Sequence, residues 1–253
     1  MKKLLTLAAL LAPAPLSAAD DRPVAGTPVA GVGVVSADQK AVFLPAKGGG
    51  IEAVELASGK VLWTNKDAGK LAGASEKTVV AWAGDGKKPN AFRVVAVDAA
   101  TGKTVGKSDA ILLPDWASTA PTYGRSFRTA ARADGDGILV FWNANAFYAG
   151  GARPTPEIEE AARKNESGMV KVDPKTGKAT PANGKPKDDD FKTGPAGGGV
   201  NKLGDYEFQA EEQIPEFKPG APMVTKVTFT VLKDGKEVWK RELAGNPFLP
   251  PLP

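Results

Sequence analysis

The stretch that decides the fold is IEAVELASGKVLW, residues 51–63. Its first half is an apolar run interrupted by Glu52 and Glu55, which is typical of a strand, and Ala57-Ser58-Gly59 then supply a turn. Glycine suits the left-handed position of such a turn, and the apolar residues after Lys60 predict a returning strand. The segment therefore predicts a β-hairpin that carries Trp63 on its second strand.

Three later turns share this pattern: DAATGK at 98–103, DPKTGK at 173–178 and a shorter Asp234-Gly235 turn. In each, an acidic side chain can accept hydrogen bonds from the turn backbone while glycine takes the left-handed position. The first two turn glycines are 43 residues apart, a spacing typical of one four-stranded propeller blade. We interpret the following as structural residues of the repeat: Gly59, Trp63, Asp98, Gly102, Asp173 and Gly177.

Residues 51–63 resemble the repeat of the PQQ-like (quinoprotein-like) β-propellers, in which a strand ending in Asp-x-x-x-Gly-Lys leads to a tryptophan. Residues 93–103 match the turn as well, although Gly106 stands where the tryptophan would be. The resemblance implies that Trp63 packs between neighbouring blades. It points to a non-enzymatic branch, because the quinoprotein dehydrogenases are much longer and many carry a vicinal cysteine pair. We therefore predict no PQQ and no other cofactor.

The predicted fold is all-β, a propeller-like array of about four antiparallel sheet units with one short helical insertion. Residues 155–164 predict the helix, with Thr155 as its N-cap and Pro156 at its first position. Four units are fewer than the seven or eight blades usual in the family. Either the propeller is small, incomplete or irregular, or a homodimer closes the array, or the C-terminal part is a separate β unit.

The chain divides into four predicted regions. Residues 1–19 form a signal peptide: Lys2 and Lys3 precede an apolar run, and Ser17-x-Ala19 suits the peptidase. Propeller repeats occupy 20–182, a flexible linker 183–199, and a C-terminal β unit with a Pro-rich tail 200–253. The protein is thus expected to be exported, to the periplasm or as a secreted bacterial protein.

Composition excludes several kinds of chemistry. The 253 residues include no cysteine and no histidine, so disulfides, Ser-His-Asp catalysis, Cys-His catalysis and sites with histidine or cysteine metal ligands are absent. The formal charge of +4 includes Lys2 and Lys3 and is +2 without them. This balance favours neither nucleic acid nor anionic membranes. We predict no metal site, no nucleic-acid partner and no stable membrane anchoring.

The predicted binding face consists of Asn145, Phe147 and Tyr148, which precede the helical insertion. Insertions project from the surface of such folds and often carry binding residues.

The expected function is a non-catalytic binding or scaffold protein of the cell envelope, with a protein or glycan partner. The alternative is a carboxylate-dependent polysaccharide hydrolase, which needs two acids about 5 to 10 Å apart. A raised pKa of one acid in a cleft would favour that alternative.

Overall fold

The computed structural model describes residues 26–243, except residues 89, 118–123, 135–136, 149–152, 174, 177, 196–198 and 214–225. The predicted signal peptide at 1–19, the Pro-rich end of the C-terminal unit and Gly177 lie outside the described residues.

Four antiparallel sheets follow one another along the chain. The first sheet contains β1 (Thr27–Val29), β2 (Gly33–Val35), β3 (Ala41–Pro45), β4 (Ile51–Glu55) and β5 (Val61–Asn65). The second contains β6 (Lys70–Ala74), β7 (Thr78–Gly84), β8 (Ala91–Asp98), β9 (Thr104–Lys107) and β10 (Ile111–Leu112). The third contains β11 (Gly124–Asp134), β12 (Gly137–Phe147), β13 (Asn165–Val172) and β14 (Ala179–Pro181). The fourth contains β15 (Lys202–Leu203), β16 (Tyr206–Gln213), β17 (Lys226–Lys233) and β18 (Lys236–Leu243).

Strands in the first, third and fourth sheets pair in chain order, and in the second sheet both β9 and β10 pair with β8. One α-helix, α1 (Pro156–Ala161), lies between β12 and β13. The predicted all-β, propeller-like array of about four sheet units with one short helical insertion is confirmed.

The sheets stack face to face in the order fourth, first, second, third. Alternation along the strands of the first sheet sends Leu44 and Val54 into a core shared with the fourth sheet, and Phe43 and Trp63 into a core shared with the second. A third core joins the other face of the second sheet to the third sheet and includes Trp82, Phe92, Phe127, Val140 and Trp142. Both inner sheets are therefore buried on two faces.

The two ends of the stack are covered differently. The outer face of the fourth sheet presents polar side chains, among them Gln209, Thr230 and Lys240, which lie opposite one another on three neighbouring strands. The outer face of the third sheet contains Phe141 and is covered by a 3-10 helix, Asp188–Thr193.

Phe191 anchors that 3-10 helix, because its ring packs against Ala130 and Phe141 and is only 6% exposed. The composition of residues 183–199 predicts a flexible linker, whereas the structure shows a packed segment inside that range. Long-range contacts hold it there: the Phe191 ring packs on Phe141, Asp188 accepts from Arg128 at 2.6 Å, and Asp190 accepts from Arg132 at 3.0 Å. The composition of this run, three aspartates and one phenylalanine, is typical of a solvated linker. The sequence alone does not show that Arg128 and Arg132 lie beside it.

The helical insertion begins at the capping residues that the sequence predicts. The Thr155 side chain accepts from the Ile158 backbone N–H at 3.5 Å, and Pro156 is the first helical residue. The helix ends at Ala161, three residues before the predicted end, and no side chain in it is buried. None of the helices in the described part of the chain is long and apolar enough to cross a membrane.

Candidate functional site

Two tryptophans connect neighbouring sheets in the same way. Trp63 on β5 donates from Nε1 to the Ala99 carbonyl of the second sheet at 2.9 Å, and Trp239 on β18 donates to the Leu56 carbonyl of the first sheet at 2.9 Å. Each acceptor lies one residue after the acid that begins a repeat turn. The turns after Glu55 and Asp98 are thus points at which one sheet docks on the next.

Each docked indole lies against the turn glycine. A Cβ atom on Gly102 would lie 2.5 Å from Trp63, and one on Gly59 would lie 2.6 Å from Trp239. Both glycines also have positive φ, +71° and +72°, which other L-residues adopt at a cost. At each of these two turns, glycine is therefore required for two reasons: the backbone conformation and the lack of space for a side chain.

The turn acids stabilise the turns locally. Asp98 accepts hydrogen bonds from the hydroxyl and the backbone N–H of Thr101, which lower the pKa of its carboxyl group. In the third sheet the Thr176 hydroxyl donates to Asp173 at 2.7 Å and lowers the pKa of that carboxyl in the same way. Both acids are engaged within their own turns.

The predicted binding residues Asn145 and Phe147 lie on the outer face of the third sheet, beyond the part covered by Phe191. Successive rows across β11, β12 and β13 place Ala130, Phe141 and Met169 together, then Arg128, Asn143 and Ser167, then Ser126, Asn145 and Asn165. Phe147 follows on the same face at the end of β12 and is 46% exposed. Tyr148, half-buried, is the next residue along the chain. We call Arg128, Asn143, Asn145, Asn165 and Phe147 the amide face.

Asn143 is the hub of the amide face and is 5% exposed. Its Nδ2 donates to Asn165 Oδ1 at 2.8 Å and to the Glu166 carbonyl at 3.3 Å. Its Oδ1 accepts from Asn145 Nδ2 at 2.5 Å and from Arg128 Nε at 3.4 Å. The hydrogen-bonding capacity of this buried amide is therefore used fully, which fixes the orientation of the side chains around it.

The sequence pattern predicts Asn145 and Phe147 as binding residues but not Asn143, Asn165 or Arg128. These three residues come from different strands, and only the register of β11, β12 and β13 brings them together. A detectable signal was the alternation of Phe141, Asn143 and Asn145, which marks one strand face as polar beyond its apolar part.

The hydrolase alternative depends on paired acids. Within the described part of the chain, the carboxyl group whose pKa is raised is that of Glu52, and burial is the cause. Glu52 lies between the first and fourth sheets, 6% exposed, with its Oε1 2.5 Å from Arg241 Nε. It is held in a core contact rather than in a cleft.

An open groove of about 520 Å³ lies between the β1–β2 turn and β16. It is lined by Ala30, Gly31, Asn201, Phe208, Gln209, Ala210 and Glu211. Glu211 is the one carboxylate among these residues, so the groove lacks the pair that glycoside hydrolysis needs. The described residues also include no group of three or more acids close enough to hold a metal ion.

Lys70 is a half-buried cation at the start of β6. Its Nζ lies 5.8 Å from the centre of the Trp82 ring, and burial lowers its pKa to about 8. Because the folded-state pKa lies below the ordinary value of 10.5, the folded protein binds fewer protons than the unfolded chain between about pH 8 and 10.5. Stability therefore rises with pH across that window, and the cost of the charged amine is fully present at pH 7.

Replacing this amine tests the cost. We expect Lys70→Met to raise the free energy of unfolding at pH 7 by about 1 to 2 kcal/mol. This is less than the pKa shift would give at about 1.4 kcal/mol per pKa unit, because the side chain is only partly buried. Most of the gain should be lost near pH 10. Urea unfolding at both pH values measures it, with the exposed Lys47→Met as the control that should change little. A gain of equal size at both pH values would show that charge is not the cause.

No family model matches the sequence, and no curated protein matches it. Among solved structures, the chain is similar to quinohemoprotein alcohol dehydrogenase ADHIIG from Pseudomonas putida HK5, with 16% sequence identity and a TM-score of 0.34. The match covers 80% of this chain and 33% of that protein, so the chain spans about a third of its length. The likeness is weak.

Proposed function

We propose that the protein is an exported, non-catalytic binding or scaffold protein of the cell envelope, and that the amide face contacts its partner. The observation that carries the proposal is the row of polar side chains at Ser126, Asn145 and Asn165, held above the buried amide of Asn143. A polar network whose buried member is fully satisfied is rigid, and rigidity lowers the entropic cost of binding.

The chemistry of this face supports binding rather than catalysis. Asparagine amides neither gain nor lose a proton near neutral pH, so they cannot serve as a general acid or base. The acids that reach this face are engaged by cations: Asp188 pairs with Arg128 and Asp190 with Arg132. Hydrogen bonding and apolar contact are what the face offers to a partner.

The role in the cell envelope rests on the leader. Lys2 and Lys3, the apolar run after them and Ser17-x-Ala19 have the three-part organisation of a cleavable export signal. Removal after Ala19 would leave a mature chain that begins at Asp20 and carries no cysteine for lipid attachment.

The experiment combines export with capture. The full chain is expressed with a C-terminal tag, fractionated, sequenced from its N-terminus and used to capture material from envelope extract. We expect a mature protein that begins near Asp20 and retains an envelope component. The double variant Asn145→Ala, Phe147→Ala should reduce capture about tenfold or more, since a few central side chains carry most of a binding energy.

The matched control is Gln209→Ala, Thr230→Ala, a pair on the polar outer face of the fourth sheet, which should leave capture unchanged. Circular dichroism of both double variants verifies that they fold. Capture that survives the amide-face variant, or a product that keeps Lys2 and Lys3, would overturn the proposal. Glycan cleavage that stops when one acid is amidated would establish the hydrolase alternative instead.

A further inference from the structure

We infer that the ligand of the amide face is an uncharged, hydroxyl-rich glycan. The inference rests on the proposed binding role and adds the chemical class of the ligand. Three properties of the face carry it: its charge balance, its unused hydrogen-bonding groups and its exposed aromatic ring.

Three cations on the outer face of the third sheet have acidic partners. Arg128 binds Asp188 at 2.6 Å, Arg132 binds Asp190 at 3.0 Å, and Lys171 binds Asp134 at 2.8 Å. Both guanidinium groups also lie over aromatic rings, Arg128 at 4.2 Å from Phe191 and Arg132 at 5.0 Å from Phe141. A charged ligand would have to compete with these partners, whereas a neutral ligand would leave them in place.

The outermost amides keep unused hydrogen-bonding groups on the solvent side. Asn145 Nδ2 donates one N–H to Asn143, and Asn165 Oδ1 accepts from Asn143. With the amide orientation that this network requires, Asn145 Oδ1 remains an acceptor and Asn165 Nδ2 remains a donor. Neither atom has a partner among the described residues. A hydroxyl group can donate to the first and accept from the second, which suits adjacent hydroxyls on one sugar ring.

Phe147 completes the site with an apolar surface. It lies two residues beyond Asn145 on the same strand face and is 46% exposed. The ring of an aromatic side chain packs well against flat apolar groups, and sugar rings present C–H groups on one face and hydroxyls at the edge. The strand alternation places ring and amides side by side, as a glycan of this polarity requires.

The size of the face also favours a short glycan over a folded protein. Three strands at about 4.8 Å spacing and the four residue steps from Asn143 to Phe147 span roughly 10 by 14 Å. A stable protein interface buries about 800 Å² on each partner, several times this area. A few sugar units would cover it.

The test uses isothermal titration of the mature protein with maltohexaose, cellohexaose, hexa-N-acetylchitohexaose and, as the charged probe, hexagalacturonate. We expect at least one neutral hexamer to bind, with hexagalacturonate about tenfold weaker or absent. Binding of the neutral hexamer should change less than about twofold up to about 0.5 M NaCl, because no charge is matched. Asn145→Ala, Asn165→Ala and Phe147→Ala should each weaken it about tenfold.

The control Gln209→Ala, Thr230→Ala should bind the neutral hexamer within about twofold of the parent protein, since it alters the opposite end of the stack. Failure of all three neutral hexamers to bind would overturn the inference, and so would binding that the three amide-face variants leave unchanged. If the neutral hexamers fail while Asn145→Ala, Phe147→Ala still abolishes envelope capture, the glycan inference falls and the proposed function stands. If neither measurement depends on the amide face, both fall.

Discussion

Replacing Trp63 by alanine is expected to lower the free energy of unfolding by about 3 to 5 kcal/mol, the range for loss of a large buried aromatic side chain. The indole is 9% exposed, stacks on Phe43 at a ring distance of 5.8 Å and lies against Gly102 of the next sheet. Its removal opens a cavity between two sheets and leaves the Ala99 carbonyl without its donor. Equilibrium unfolding in urea, followed by circular dichroism, measures the loss.

One variant separates packing from hydrogen bonding at this position, and a variant of the adjacent residue is the control. Trp63→Phe keeps a ring but removes the N–H donor, and it should cost less than the alanine variant by the packing contribution. Leu62→Ala changes the adjacent side chain, which is 49% exposed, and should cost less than about 0.5 kcal/mol. If Trp63→Ala cost below about 1 kcal/mol, Trp63 would not be the contact that holds the first and second sheets together.

Gly59→Ala is the second change with a large expected effect. The new methyl group meets the Trp239 ring, and alanine must adopt a φ of +72°. The left-handed conformation costs about 1 to 2 kcal/mol, and the overpacking against the indole about 1 to 3 kcal/mol. Denaturant unfolding should therefore show a loss of about 2 to 5 kcal/mol.

Gly235→Ala is the matched control, because Gly235 has a φ of +73° but no atom within 4 Å of an added Cβ. It should show the conformational cost alone. In the double variant Gly59→Ala, Trp239→Ala, the methyl group has no ring to displace. The double variant should therefore lose less stability than the sum of the losses of the two single variants. Equal losses at Gly59 and Gly235 would mean that the contact with Trp239 is not tight.

The local parts of this fold could be predicted from sequence because local residues determine them. The two-residue turn at Asp234-Gly235 has positive φ at both positions, 52° and 73°, as a hairpin of this length requires. Thr155 and Pro156 begin the helix for reasons that lie within one turn of chain. The number of sheets followed from counting such turns.

The order of the sheets and the composition of the amide face could not be predicted in this way. Nothing near Trp239 indicates that its acceptor is Leu56, 183 residues earlier. Likewise, Asp188 pairs with an arginine 60 positions before it, so a segment with the composition of a linker becomes a packed cover. Both contacts depend on strand register and sheet stacking, which arise only when the whole chain is folded.

The long separation between Trp239 and the first sheet has a consequence for the time course of folding. Synthesis delivers about 5 to 20 residues each second, so the partner strands of the fourth sheet follow the first sheet by roughly 10 to 40 s. Throughout that interval the face that contains Leu44 and Val54 has no cover, although the second and third sheets can already be stacking on the other side. Closing so long a loop is also slow compared with hairpin formation. A nascent chain of this protein thus displays an apolar strand surface until its last sheet arrives, and that delay is the period in which a chaperone or an aggregate would capture it.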